Sequence, residues 1–108
     1  MRVKFRIGIY RNGKKMKKKD FLGLRDPLFI GMRYITEFKY LEATKWLLIA
    51  KDSREKYTLL GMINEALGQS EQAKEFFENA SRYEKLTDYE FKKEFPEELI
   101  AEHRNRNS

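Results

Sequence analysis

The sequence predicts a mainly α fold: two helix-turn-helix repeats, a C-terminal capping helix, and a short N-terminal β-strand or hairpin. Three observations predict it. The first is an internal echo, in which GMRYITEFKYLEATKWLLIA from Gly31 aligns with GMINEALGQSEQAKEFFENA from Gly61. Gly31 and Gly61, Met32 and Met62, Ala43 and Ala73, and Ala50 and Ala80 coincide, with Leu47 opposite Phe77. A period of this length belongs to stacked supersecondary units, here a pair of helices. The second is the alternation of Val3, Phe5, Ile7 and Ile9 with Arg2, Lys4, Arg6 and Gly8, the period of a strand with one apolar face. The third is punctuation by residues that start and stop helices.

Taken in order, the strand at Val3–Ile9 is followed by Asn12-Gly13, the commonest two-residue hairpin turn, so Lys14–Lys19 is expected to return beside it. Asp26 before Pro27 starts a helix, since Asp accepts from the first free backbone amides and proline loses nothing at the first position. Asp52 with Glu55 predicts a capping box for the second unit. Gly68 suits a helix C-terminus and Ser70 the start of the next. Thr87 with Glu90 predicts another capping box; Pro96 then divides the C-terminal segment into a short helix and a final amphipathic one carrying Leu99 and Ile100. That last helix is the expected cap over the open end of the repeats. The chain thus divides into a basic arm at 1–25, a helical domain at 26–104 and a frayed tail at 105–108.

Small residues at Gly31, Ala43, Ala50, Gly61, Ala73 and Ala80 allow two helices to cross closely, with Leu47 and Phe77 filling the space beside them. Tyr57, Leu60, Gly61, Gly68, Ala73, Phe77 and Ala80 follow the spacing of the tetratricopeptide motif, and Ile30, Gly31, Tyr34, Ala43, Leu47 and Ala50 repeat it. The segment Asp26–Lys85 therefore resembles the tetratricopeptide-repeat (TPR) family. It departs in its shorter period and in carrying Lys85 where the closing proline belongs. The resemblance implies a protein-interaction adaptor that holds a peptide or helix in a concave groove, lined by position with Arg25, Leu28, Met32, Ile35, Glu55, Thr58, Met62 and Glu65. Leu28, Met32, Thr58 and Met62 stand where the carboxylate-clamp subgroup needs Lys and Asn, so an acidic C-terminal tail is not the expected ligand.

With 108 residues and 13.0 kDa, the chain is enough for one modest core. It has no cysteine, which removes disulfides, thiolate metal sites and cysteine nucleophiles, and fits a cytoplasmic setting. There is no apolar run long enough to span a bilayer. His103 is the sole histidine, Gly13-Lys14 lacks the rest of a phosphate-binding loop, and the acidic residues sit at the spacings of solvated helix faces. No catalytic residue, cofactor or metal site is therefore expected.

Charge is divided unequally: residues 1–25 carry a net +9 and the remainder −3. In the arm, Arg2, Lys4, Arg6, Arg11, Lys14, Lys15, Lys17, Lys18 and Lys19 are candidate phosphate ligands, with Phe5, Tyr10 and Phe21 available for base stacking. Nucleic acid is thus the alternative partner to protein. The rival reading makes the arm a solvated cover over the repeats. Finally, Tyr40, Leu41, Trp46, Leu47, Leu48 and Ile49 surround most of one helix, whose far side must be covered. The N-terminal strand packing across Trp46 and Ile49 is the expected cover, and a homo-oligomer contact through the Trp46 face is the alternative.

Overall fold

The computed structural model describes residues 2–95. Its elements run β1 (Arg6–Arg11), β2 (Lys14–Lys15), a 3₁₀ turn (Lys18–Phe21), α1 (Pro27–Thr36), α2 (Tyr40–Ile49), α3 (Arg54–Ala66), α4 (Ser70–Ala80) and β3 (Tyr89–Glu94). The fold is mainly α, with one antiparallel sheet in the order β2-β1-β3.

The two hairpins are built alike. Asp26 accepts from the Leu28 amide at 2.9 Å to open α1, and Pro27 occupies the first helical position. Gly31 lets α1 meet α2, since a Cβ there would lie 2.8 Å from Leu47 Cδ2. Gly61 does the same for α3 and α4, where a Cβ would lie 2.6 Å from Phe77 Cε1. Each turn closes by the same backbone bond, Lys39 to Tyr34 at 2.9 Å and Gln69 to Asn64 at 2.8 Å. Each places one residue in the left-handed region just past the helix, Phe38 at φ 63° and Gly68 at φ 83°.

The strand alternation forms as expected. Phe5, Ile7 and Ile9 are buried, and Asn12 and Gly13 adopt the positive φ values of a tight hairpin turn. Burial of each isoleucine contributes on the order of 2 kcal/mol, which is what holds so short a hairpin in place. The return strand is shorter than expected: only Lys14 and Lys15 pair with β1, after which Met16 gives one further amide to Ile9 at 2.7 Å. Beyond Met16 the chain has no apolar residue to alternate until Phe21, which is drawn into the core by the 3₁₀ turn.

Three expectations are corrected. The capping box at Thr87 and Glu90 does not start a helix; β3 runs there instead, in register with β1 from Arg6 opposite Glu94 to Arg11 opposite Tyr89. Tyr89 and Phe91 alternate inward, and the open edge of β1 supplies hydrogen bonds that a short isolated helix lacks. The C-terminal capping helix itself lies outside the described residues. Second, α3 is capped by Ser53, whose hydroxyl accepts from the Lys56 amide at 3.1 Å, rather than by Asp52. Asp52 takes the Tyr57 hydroxyl at 2.7 Å and Lys56 Nζ at 3.3 Å. Lys56 is buried and donates also to the carbonyls of Leu48 and Ala50, satisfying the end of α2. Third, the N-terminal strand does not cover Trp46 and Ile49; β1 packs on α1 and α3, on the opposite side of the hairpins.

Glu55 ties the end of the helices to β3. Its buried carboxylate accepts from the amides of Leu86, at 2.9 Å, and Thr87, at 2.6 Å, and from the Thr87 hydroxyl. Burial alone would push this carboxyl up, but the donors outweigh it and hold it below its ordinary value. A folded value below the unfolded one stabilises the fold above the ordinary carboxylate range, and that stability is lost as pH falls through the folded value. Acid unfolding should therefore begin below about pH 4.5. Glu55→Gln should flatten the pH dependence of the urea midpoint in that range, and Glu55→Ala should cost about 3 kcal/mol at neutral pH, measured by urea denaturation.

Candidate functional site

The groove expected on α1 and α3 is filled by the chain's own sheet. Leu28, Met32, Ile35, Glu55 and Met62 are buried, and four of them belong to the hydrophobic core with Ile7, Ile9 and Tyr89. Thr58 and Glu65 are half-buried and Arg25 is exposed. The physical reason is the strand alternation itself, because β1's apolar face and the apolar stripe of α1 and α3 satisfy each other. The two equivalent methionines are core.

The basic arm is distributed by the hairpin. Arg2 is exposed, and Lys4 gives its amide to Ala66 at 2.8 Å at the far end of the strand. Arg11 and Lys14 lie near Asn12, Asp20 and Tyr89, with Arg11 3.9 Å from Asp88, and Lys19 is exposed on the 3₁₀ turn. Arg6, Lys15, Lys17 and Lys18 come together. They line a cleft of about 330 Å³ between the hairpin and the α1–α2 turn, with Thr36, Phe38, Tyr40 and Glu94 on its other walls.

Tyr40 positions the cleft. As the first residue of α2 it is buried, and its hydroxyl accepts the Ile7 amide at 2.9 Å, which pins β1 to the helices where β2 has ended. Burial pushes its phenol pKa up, against the lowering effects of that amide and of Arg6. Phe38 stands edge-on to Tyr40 with ring centres 5.2 Å apart, and the Arg6 guanidinium lies 4.6 Å from the Phe38 ring centre. A side chain other than glycine in the left-handed region costs about 1 kcal/mol, so Phe38 is held there by its surroundings.

Two carboxylates temper the positive charge. Glu94 receives Lys15 Nζ at 2.7 Å and the Tyr10 hydroxyl; burial raises its carboxyl, but these donors hold it below its ordinary value. The same bond to Glu94, with burial, raises the Tyr10 phenol. Glu37, closing α1, lies 3.5 Å from Lys18, 3.6 Å from Arg33 and 3.7 Å from Lys39. Lys14, Lys17 and Lys19 form no ion pair among the described residues. The arrangement presents ammonium and guanidinium groups beside aromatic rings, groups that can hold an anion. Among the described residues no group of three His, Cys, Asp or Glu side chains could hold a metal ion.

Sequence reasoning named the cations but missed Thr36, Phe38, Tyr40, Glu37 and Glu94. The signal for one of them was present, since Phe38 is thirty positions before Gly68 and inherits its left-handed turn. Comparison with protein-family models, with curated proteins and with solved structures finds no match for this chain. No helix among the described residues is long and apolar enough to cross a membrane.

Tyr40→Phe removes the acceptor for a buried amide while keeping the ring. It should destabilise the fold by about 1–3 kcal/mol in urea denaturation, and hydrogen exchange at the Ile7 amide should accelerate with it.

Proposed function

We propose that this is a TPR-like two-hairpin protein that associates with single-stranded nucleic acid through its basic end. The repeat reading is supported by the thirty-residue echo and by the matched crossings at Gly31 and Gly61. The observation that carries the function is the convergence of Arg6, Lys15, Lys17 and Lys18 on one cleft walled by Phe38 and Tyr40. Backbone phosphates need clustered cations, and a base needs an aromatic or guanidinium face nearby. On α4 the exposed Glu71, Glu75 and Glu78 outnumber the exposed Lys74, so the field favours approach of a polyanion to the hairpin.

Titration of a labelled mixed-sequence single-stranded RNA into the full chain should show affinity falling with salt, with a log-log slope of about −2 to −3 if three or four phosphates are engaged. Lys17→Glu with Lys18→Glu should weaken binding at least tenfold. Lys74→Glu with Arg82→Glu, on and just beyond α4, changes net charge equally and should have little effect. Equal losses in the two variants would mean a diffuse attraction without a site.

Protein binding keeps one observation in its favour. The Ile7 amide and Ile9 carbonyl point toward the β2 side, so β1 bonds to β3 through Arg6, Gly8 and Tyr10. The backbone of Phe91 and Lys93 then faces the outer edge of β3, beside a cleft of about 250 Å³ lined by Arg54, Glu55, Thr58, Tyr89 and Phe91. An extended peptide added to that edge would retain Glu55 and Thr58 of the expected groove as its floor. Selection from a random peptide library should then enrich an extended motif whose binding is lost in Thr58→Arg; no enrichment would leave the nucleic-acid reading alone.

A further inference from the structure

The outer face of α2 carries three exposed large apolar side chains. Leu41 is 62% exposed, Leu48 54% and Ile49 67%, and Trp46 is half-buried at the margin of the same face. At helical spacing Leu41, Lys45, Leu48 and Ile49 form one stripe, being i, i+4, i+7 and i+8. Nothing in the core needs these side chains: Tyr40, Ala43, Leu47 and Ala50, on the inward face, are the ones buried.

We infer that this face docks on an anionic lipid surface. Three features select that occupant. Lys39, Lys45 and Lys51 are all exposed and bracket the stripe at its two ends and middle; Lys39 lies 3.7 Å from Glu37 and Lys45 3.3 Å from Glu42, with both ammonium groups still open to solvent, and Lys51 forms no ion pair among the described residues. Long lysine stems let apolar neighbours enter an interface while the ammonium groups stay with headgroup phosphates. The face is the convex side of a helix, and Leu41, Lys45, Leu48 and Ile49 line none of the four clefts between the hairpin, β3 and the other helices, whereas a bilayer needs no cleft. A second copy fits less well. A two-fold contact through the stripe would set Lys45 near its own mate, with Lys39 and Lys51 adding like charge, over a helix of ten residues that supplies too little area for a stable dimer. The contact is interfacial, in keeping with the absence of a spanning helix among the described residues.

Trp46, the chain's single tryptophan, reports on the face directly. The full chain should co-sediment with phosphatidylglycerol vesicles with a blue shift of Trp46 emission, and bind phosphatidylcholine vesicles far more weakly. The variant Leu48→Glu with Ile49→Glu changes only exposed positions; it should keep its circular dichroism and lose both effects. Replacing Lys39, Lys45 and Lys51 by Gln should lower partitioning roughly fivefold for each lysine removed. Co-sedimentation with unchanged Trp46 emission would assign the contact to the basic hairpin end and overturn the inference, as would no binding at all. A doubled mass in light scattering that Leu48→Glu returns to the monomer value would overturn it in favour of a second copy.

Discussion

The rest of the structure depends on the burial of β1 against α1 and α3. Phe5, Ile7 and Ile9 supply the apolar layer that the inner stripes of both hairpins require, and Leu28, Met32, Ile35 and Met62 are buried by it. A sheet laid on two helices must satisfy its own edges, and each edge of β1 is handled differently. On one side β3 pairs along its whole length. On the other, β2 lasts two residues, after which the Met16 amide and the Tyr40 hydroxyl take over the unpaired groups. The cleft beside Tyr40 exists because β2 ends early.

The same arrangement sorts charge. Apolar alternation draws one face of the arm inward and leaves Arg6, Lys15, Lys17 and Lys18 on the surface around that early ending. Carboxylates from distant segments, Glu37 at the close of α1 and Glu94 at the end of β3, hold some of these cations in place. Exposed pairs of this kind contribute little to stability, up to about 1 kcal/mol each. Their effect is on position, keeping long flexible side chains near the Phe38 ring where free lysines would spread.

Local chemistry was legible where a feature is decided by its neighbours in sequence. The crossings at Gly31 and Gly61, the Asp26 cap and the Asn12-Gly13 turn are of this kind. What was not legible depends on tertiary pairing. The stretch from Thr87 to Glu94 carries a local helix signal and a strand alternation together, and the open edge of β1 decides between them. The expected groove failed for the same cause, since its lining residues were named from position in the repeat without anything to say that the arm would occupy it. The cleft joins the hairpin, the α1–α2 turn and β3, so only its cations could be named beforehand.

The sheet also fixes the order in which the protein can be completed during synthesis. β1 is made before the helices, yet the strand that pairs along its length is β3, which follows them, and the Tyr10 hydroxyl meets Glu94 84 positions later in sequence. Until β3 leaves the ribosome, β1 is a cationic strand with an open edge. In that state its basic side chains are attracted to ribosomal RNA, an abundant polyanion. Closure of the sheet therefore follows synthesis of all four helices, and the long edge of β1 that β3 covers stays unpaired until then.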